Sequence, residues 1–357
     1  MDLSLLKLEI ATCALAVLVL LAQAFGKRAD KRVLGCIAGL GALAILAWSC
    51  YAGAVMGQGF HDMWINDATA LFFKRLFLVG TALVLFMSVG FAKHLESGVG
   101  EFFALILFAC TGMLLTASAN DFVMLFVSIE TVTISFYILT AYLRRQLPSL
   151  EAGMKYLILG ALSSALLVYG ITFIYGAVGT TTFAGLGTFL KEKGASTPVS
   201  LGVLLVMAGL GFKVASVPFQ IWVPDVYQGA PTPVTAFLAV GSKAAGLVVL
   251  LRLLFGSLLP LQTTWVIIIA TLAALTILYG NLAAIPQRNI KRLLGYSSIS
   301  HAGFLLLGIA AANSMGVGAV LFYLFAYLFT NLCAFTVIVC LAHALPNDEI
   351  GSYDGLG

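Results

Sequence analysis

The sequence predicts an all-α, polytopic transmembrane helix bundle, and two observations lead to this fold class. Hydrophobic residues make up 61% of the 357-residue chain, whereas charged residues make up only 10%. Soluble globular domains are about 45–50% apolar and about 25% charged, so a soluble core has no place for such a surplus. The apolar residues also gather into segments of about 20 residues, the length of a helix that crosses a hydrocarbon layer of about 30 Å.

Eleven apolar segments are long enough to span a membrane. Their expected bounds are residues 4–25, 33–55, 69–92, 101–118, 121–143, 155–178, 199–222, 232–255, 264–284, 293–312 and 316–344. No linker between them is long enough to separate soluble domains. We therefore expect one continuous helix bundle.

The distribution of basic residues predicts the orientation of the bundle. Basic residues cluster in the loops that follow the first, third, fifth and ninth spans: Lys27, Arg28, Lys31, Arg32, Lys93, Arg144, Arg145, Lys155, Arg288, Lys291 and Arg292. The opposite loops carry mainly Lys191 and Lys193. Short loops rich in lysine and arginine stay in the cytoplasm, so the N-terminus is expected outside. Lys74 and Arg75, near the outer end of the third span, are expected to extend towards the membrane interface.

Several functional classes are unsupported by the sequence. The six cysteines form no Cys-x-x-Cys pair and no metal-ligand spacing with histidine, so we expect no metal site and no iron–sulfur cluster in this chain. No strand is predicted, and therefore no glycine-rich turn after a strand that would bind NADH. No basic patch with interleaved aromatic residues points to nucleic acid.

Four ionisable residues lie deep within predicted spans: Glu130, Lys213, Lys243 and His301. A charge at the centre of a membrane helix costs about 2.5–3.5 kcal/mol on insertion scales, so it usually has a function and a partner. An acid, two lysines and a histidine at similar depth suit a proton path that runs along the membrane. The alternative for Glu130 and Lys213 is a static ion pair, and for His301 it is a packing histidine.

Pro218 lies five residues after Lys213 and predicts a break in the seventh span. Proline lacks a backbone N–H donor and clashes with the preceding turn. Broken helices at membrane depth occur where they are buried in protein or line a polar cavity. A break beside a buried lysine therefore indicates a functional site.

Three motifs carry a resemblance to a known family. Residues 217–234 read VPFQIWVPDVYQGAPTPV, residues 289–301 read NIKRLLGYSSISH, and residues 149–156 read SLEAGMKY. The first closely resembles the signature of the subunit N family of proton-pumping NADH–quinone oxidoreductase (respiratory complex I), one of the antiporter-like protein families. The second is similar to another signature of that family, and the third resembles it more weakly.

The resemblance implies a fold of fourteen helices with two inverted five-helix repeats and a broken seventh helix. It divides the chain into N-terminal helices (1–98), a first repeat forming a proton half-channel (99–258) and an incomplete second repeat (259–357). The family's twelfth helix and last two helices have no counterpart, so we expect a C-terminally truncated chain. Glu130, Lys213 and Lys243 match the family's functional residues, His301 falls in its tenth-helix motif, and Gln220 replaces a frequent histidine.

The function implied is proton translocation coupled to electron transfer from NADH to quinone in other subunits. NADH, FMN, iron–sulfur clusters and quinone are then expected in partner subunits, with no cofactor in this chain. The other expected partners are membrane-arm subunits, the lipid of a bacterial inner membrane, water and protons. Three alternatives remain open: a subunit of a multi-subunit sodium/proton antiporter, the sister subunit M, and a non-conducting scaffold of the membrane arm.

Overall fold

The computed structural model describes residues 3–25, 31–51, 55–95, 98–342, 344–345 and 347–355. Within these residues, eleven helical segments are long and apolar enough to cross a membrane, which confirms the predicted number. They are Leu3–Phe25, Arg32–Tyr51, Ala68–His94, Val99–Ser118, Phe122–Thr140, Leu147–Val178, Thr197–Val214, Thr232–Ser257, Leu259–Ala284, Ile290–Ala310 and Ser314–Leu341. Lys27 and Arg28, two of the residues used to predict orientation, lie outside the described residues.

The spans are built from α-helices whose bounds follow the chain in order. They are α1 (Lys7–Phe25), α2 (Lys31–Tyr51), α3 (Ala68–Phe91), α4 (Val99–Ser118), α5 (Phe122–Thr140), α6 (Leu147–Val178), α7 (Phe183–Lys193), α8 (Thr197–Val214), α9 (Trp222–Gly229), α10 (Thr232–Phe237), α11 (Lys243–Arg252), α12 (Gln262–Ala284), α13 (Ile290–Ala310) and α14 (Ser314–Leu341). Short 3₁₀ helices lie at Leu3–Leu6, Ala92–His94, Leu259–Leu261 and Ile350–Tyr353, and π-helical segments at Leu238–Ser242 and Leu253–Ser257.

Two predicted spans differ from the structure by eight residues at one end, more than any other. The sixth begins at Leu147 rather than at residue 155, with Pro148 in its first turn. Proline is favoured there because its missing N–H has no partner within the helix in any case. The seventh span ends at Val214 rather than at residue 222, because Ala215 adopts the left-handed conformation (φ 65°) that terminates α8.

A short β-hairpin joins α2 to α3, so the expectation of no strands was wrong. Strand β1 (Gly57–Gly59) pairs antiparallel with β2 (Trp64–Asn66), with Gly57 opposite Asn66 and Gly59 opposite Trp64. Segments of three residues are too short to give an alternating pattern that sequence reading detects. The surface helix α7 was also not predicted; it ends with Lys191 and Lys193, whose charges favour a helix C-terminus.

The eighth span, formed by α10, α11 and the π segments, is the centre of the bundle. All of its most apolar 18-residue stretch is buried, whereas only 28% of that of the sixth span and 22% of that of the ninth are buried. Lys243, in this span, is therefore surrounded by protein and 1% exposed. The fold thus places one of the four predicted site residues at the middle of the helix packing.

The expectation for Lys74 was wrong. Its side chain is 1% exposed and pairs with Glu9 of α1 instead of reaching the interface. Arg75 donates to the backbone carbonyl of Ser49 on α2, 2.8 Å away. Both cations are held by neighbouring elements because the hairpin packs over this end of α3, with Trp64 only 2% exposed.

Candidate functional site

The seventh span is broken directly after Lys213, which confirms the predicted helix break. α8 ends at Val214, and the Ser216 N–H turns back to the Gly211 carbonyl at 3.0 Å. The chain resumes a helix only at Trp222, where α9 begins. Pro218 lies inside the irregular segment, which starts three residues before it.

The irregular segment is held by contacts with two other parts of the bundle. The backbone N–H of Val217 donates to the Thr276 hydroxyl of α12 at 3.0 Å, and the Trp222 indole donates to the Phe212 carbonyl at 3.1 Å. The buried Gln220 side chain has an oxygen with no hydrogen-bond partner among the described residues. Such a group in a buried break is a place where water can bind.

Lys213 is hydrogen-bonded to a neutral group. Its ammonium donates to the Thr133 hydroxyl of α5 at 2.6 Å, and its side chain is 5% exposed. Glu130 lies one helical turn before Thr133, but its carboxylate accepts from Ser164 of α6 at 2.5 Å. Lys213 of α8 therefore contacts the part of α5 that carries Glu130, but the two side chains do not form the direct ion pair of the static alternative.

Lys243 is also held by neutral oxygens. Its ammonium donates to the Ser298 carbonyl at 2.6 Å and to the Ser298 hydroxyl at 2.7 Å. It also lies 5.9 Å from the centre of the Tyr227 ring. The lysine therefore connects the buried eighth span to α13 through a single serine.

The two lysine-bearing helices pack closely because of Gly246. A Cβ atom at Gly246 would lie 3.2 Å from the Lys213 Cβ and 2.9 Å from a methyl group of Val214. Gly246 lies one turn after Lys243 on α11. The close packing of α8 and α11 thus brings the Lys213 and Lys243 segments together.

His301 extends the polar residues to α14. Its Nδ1 lies 2.5 Å from the Tyr323 hydroxyl, and its ring packs 4.9 Å from that of Tyr327. Ser298, the partner of Lys243, lies one turn before His301 on α13. The four predicted residues thus fall into two clusters: Glu130 and Lys213 around α5, and Lys243 and His301 around α13.

The sequence reading missed the neutral partners of these residues. Thr133 and Ser298 each lie three residues from a predicted site residue, so helical spacing is a signal that could have found them. Ser164 and Tyr323 come from other helices. No pattern in the sequence indicates either contact.

A charged cluster joins α9 to helices from both halves of the chain. Asp225 accepts from Lys155 of α6 at 2.7 Å and from Arg292 of α13 at 2.5 Å. Partial burial acts to raise the pKa of Asp225, but hydrogen bonds from Lys155 and Arg292 outweigh it and hold that pKa below its ordinary value. The aspartate therefore stays charged at neutral pH and links α9 to α6 and to α13.

Residues 119–357 match the family model described as NADH:quinone oxidoreductase/Mrp antiporter, TM. NADH-quinone oxidoreductase subunit N of Desulforamulus reducens is 43% identical over 99% of this chain and 73% of its own length. The subunit N of Heliobacterium modesticaldum is 42% identical over 100% and 75%. The chain belongs to the NADH-quinone oxidoreductase subunit N family.

Solved structures agree with membership of the subunit N family. A chain of respiratory complex I from Thermus thermophilus matches with 31% identity and a TM-score of 0.76, over 96% of this chain and 71% of its own length. A chain of the archaeal membrane-bound sulfane sulfur reductase matches with 26% identity and a TM-score of 0.84, over 100% and 74%. A chain of the Mrp complex from Dietzia shares the fold, with 21% identity and a TM-score of 0.78 over 96% and 65%.

These matches favour the subunit N interpretation over the sister subunit M and over an antiporter subunit. With eleven apolar spans among the residues that the structure describes, this member of the subunit N family is a multi-pass membrane protein. Glu130, Lys213, Lys243 and His301 all lie within the matched region 119–357.

Proposed function

We propose that this chain translocates protons in the membrane arm of an NADH–quinone oxidoreductase, using Glu130, Lys213, Lys243 and His301. The single observation that supports this most is the chemistry around the two buried lysines. Each donates to neutral oxygens, Lys213 to Thr133 and Lys243 to Ser298. A permanently charged scaffold lysine would need a carboxylate partner to offset burial, whereas a lysine that releases its proton is best held by groups that tolerate both forms.

The proposed mechanism begins at the broken seventh span. Glu130 lies one turn from the Thr133 hydroxyl that holds Lys213, so its negative charge favours the protonated amine. A shift of α8 at the break would separate the two groups, and Lys213 would give up its proton. The proton would then pass through water to Lys243, and from there by Ser298 towards His301.

The division of the chain follows from this mechanism. We propose that residues 99–258 form the first half-channel and residues 259–357 part of a second, with residues 1–98 as N-terminal helices. The Asp225 cluster would then connect the two repeats at the broken span. Such an arrangement supports coupling between half-channels, because one carboxylate binds a cation from each.

The redox chemistry belongs to other subunits in this proposal. NADH, FMN, iron–sulfur clusters and quinone would be bound by partners, and this chain would contribute no electron transfer. We place it in a bacterial inner membrane with its N-terminus outside, because basic residues described beside the third, fifth and ninth spans fall on one face. Its neighbours there would be other membrane-arm subunits, lipid and water.

Glu130→Gln in the assembled complex tests the proposal. Glutamine keeps the shape and removes the charge, so we expect normal assembly with weakened proton pumping and reduced quinone reductase activity. Glu192→Gln, at an exposed position of α7, is the matched control and should pump normally. Normal pumping by Glu130→Gln would exclude the proposed role of the glutamate.

A further inference from the structure

A cavity of about 530 Å³ lies between α3 and α14, close to the hairpin. Its walls are apolar side chains, among them Phe72 and Leu328, with one exception, the guanidinium of Arg75 on α3. Met56 and Phe325 also line the cavity and are exposed, so it opens on the surface of the bundle. None of the four residues of the proposed proton path lines it.

Arg75 has no acidic partner among the residues that the structure describes. Its Nη2 donates to the Ser49 carbonyl at 2.8 Å, and its Nε is buried without a hydrogen-bond partner in the same part of the chain. A charge within a membrane helix is costly unless it is paired. The two lysines of the proposed path can become neutral, whereas an arginine keeps its charge. Arg75 therefore needs an anion that the described residues do not supply.

The contact with Ser49 indicates the depth of Arg75 in the membrane. Ser49 lies in the last turn of α2, which ends at Tyr51, and both Trp48 and Tyr51 are exposed at this end of the helix. Exposed tryptophan and tyrosine at the ends of spans are typical of the interface, where the lipid headgroups lie. The guanidinium of Arg75 is therefore at the level of the headgroups.

The cavity continues from this level into the hydrocarbon region. The α3 residues that line it run from Ala68 to Val79, a helical length of about 16 Å. Val79 lies one turn beyond Arg75, on the side away from the hairpin. A cation at one depth and a long apolar wall below it fit an amphiphile rather than a free anion.

We propose that this cavity binds an anionic phospholipid, with the phosphate at Arg75 and an acyl chain along the apolar walls of α3 and α14. The planar guanidinium matches the oxygens of a phosphate group, which it can bind with two parallel hydrogen bonds. The lipid supplies the negative charge that Arg75 lacks, and its chain fills the space between the two helices. The proposal is independent of the proton path.

Photo-crosslinking with lipid analogues tests this site in the assembled complex, reconstituted in vesicles. A phosphatidylglycerol that carries a diazirine in its acyl chain is compared with the corresponding phosphatidylcholine, whose phosphate is neutralised by its own choline. Mass spectrometry identifies the labelled peptides. We expect phosphatidylglycerol to label the cavity residues of α3 and α14 about fivefold more than phosphatidylcholine does, the effect of one arginine on an anionic lipid.

Three variants determine whether Arg75 causes this preference. Arg75→Gln removes the charge, so the two lipids should label the cavity equally. Arg75→Lys keeps a positive charge and should retain the preference for phosphatidylglycerol. Arg144→Gln, at an exposed arginine between α5 and α6, is the matched control and should behave as the wild type does. The comparison of the two lipids in the wild type tests the proposal even if a variant fails to assemble.

The other outcomes would each overturn the proposal. Equal labelling by the two lipids in the wild type would show an ordinary lipid-facing surface. No labelling of the cavity by either lipid would show that protein covers it. A preference that persists in Arg75→Gln would assign the anion site to another group. Lys213→Arg should leave the labelling unchanged, so a failure of the pumping mechanism would not affect this test.

Discussion

The Lys213 ammonium is hydrogen-bonded to the Thr133 hydroxyl at 2.6 Å and not to the carboxylate of Glu130, which lies one helical turn before Thr133 on α5. The Thr133 hydroxyl accepts from the lysine and donates its own proton to the backbone carbonyl of Ile129 at 2.7 Å, so a neutral residue of α5 holds the base of the predicted pair. This relationship makes Thr133 a residue to test.

We expect Thr133→Val to impair proton pumping, because it keeps the shape of the side chain and removes the oxygen that holds Lys213. Loss of a partner by a buried polar group costs about 1–3 kcal/mol, which corresponds to about a 5- to 150-fold change in an equilibrium. Pumping by the assembled complex in sealed vesicles measures the effect. Thr133→Ser keeps the hydroxyl and should pump normally. Thr172→Val, at an exposed threonine of α6, should also leave pumping unchanged. Wild-type pumping by Thr133→Val would show that this hydrogen bond is dispensable.

Gly246→Ala should disturb the packing of α8 against α11. The added Cβ would lie 3.2 Å from the Lys213 Cβ and 2.9 Å from a Val214 methyl group, so one helix has to move. Overpacking of this kind typically costs about 1–3 kcal/mol. We expect a lower unfolding temperature of the solubilised complex and slower pumping. Gly318→Ala, on α14 with no atom within 4 Å of the added group, is the control and should leave both unchanged.

The Asp225 cluster should make stability depend on pH in the acidic range. The pKa of Asp225 is below its ordinary value in the folded protein, so its ion pairs contribute stability above the ordinary aspartate pKa of about 3.9. That contribution is lost as the pH falls through the lower, folded-state pKa. Unfolding temperatures measured against pH should show this loss in the wild type. Asp225→Asn should be less stable at neutral pH, and the difference should shrink on acidification. A difference that does not change with pH would contradict this assignment.

The orientation can be tested with single cysteines in a cysteine-free background. His61→Cys, in the turn between β1 and β2, should react with a membrane-impermeant thiol reagent added outside the cell. Gln146→Cys, in the loop between α5 and α6, should react only after the cytoplasmic side is exposed. Both positions are exposed in the structure. The reverse pattern would invert the orientation proposed from the basic loops.

Much of the fold follows from local composition, and the exceptions have physical causes. The eleven spans were predictable because each needs about 20 apolar residues to cross the bilayer. The break near Pro218 was predictable because proline cannot continue the hydrogen-bond ladder. The residue at which the break starts, Ala215, was not predictable. Its left-handed conformation belongs to an irregular segment that is held by contacts with α12.

The same distinction separates the site residues found from those missed. Glu130, Lys213, Lys243 and His301 were recognisable because charges in apolar spans are rare. Their partners Ser164 and Tyr323 lie on other helices, so only the packing reveals them. Lys74 was misassigned because its distance from the end of the span suggested the interface. The burial of Lys74 depends on the hairpin and on Glu9, and no pattern in the sequence around Lys74 indicates either contact.

The most direct test of the account is proton pumping by Lys213→Arg in the assembled complex. Arginine keeps a positive charge at this position but does not release its proton at accessible pH. If Lys213 carries protons, Lys213→Arg should lose pumping as completely as Lys213→Ala, while Lys193→Arg on the exposed end of α7 pumps normally. Full pumping by Lys213→Arg would show that a fixed charge is sufficient and would contradict proton transfer through this lysine.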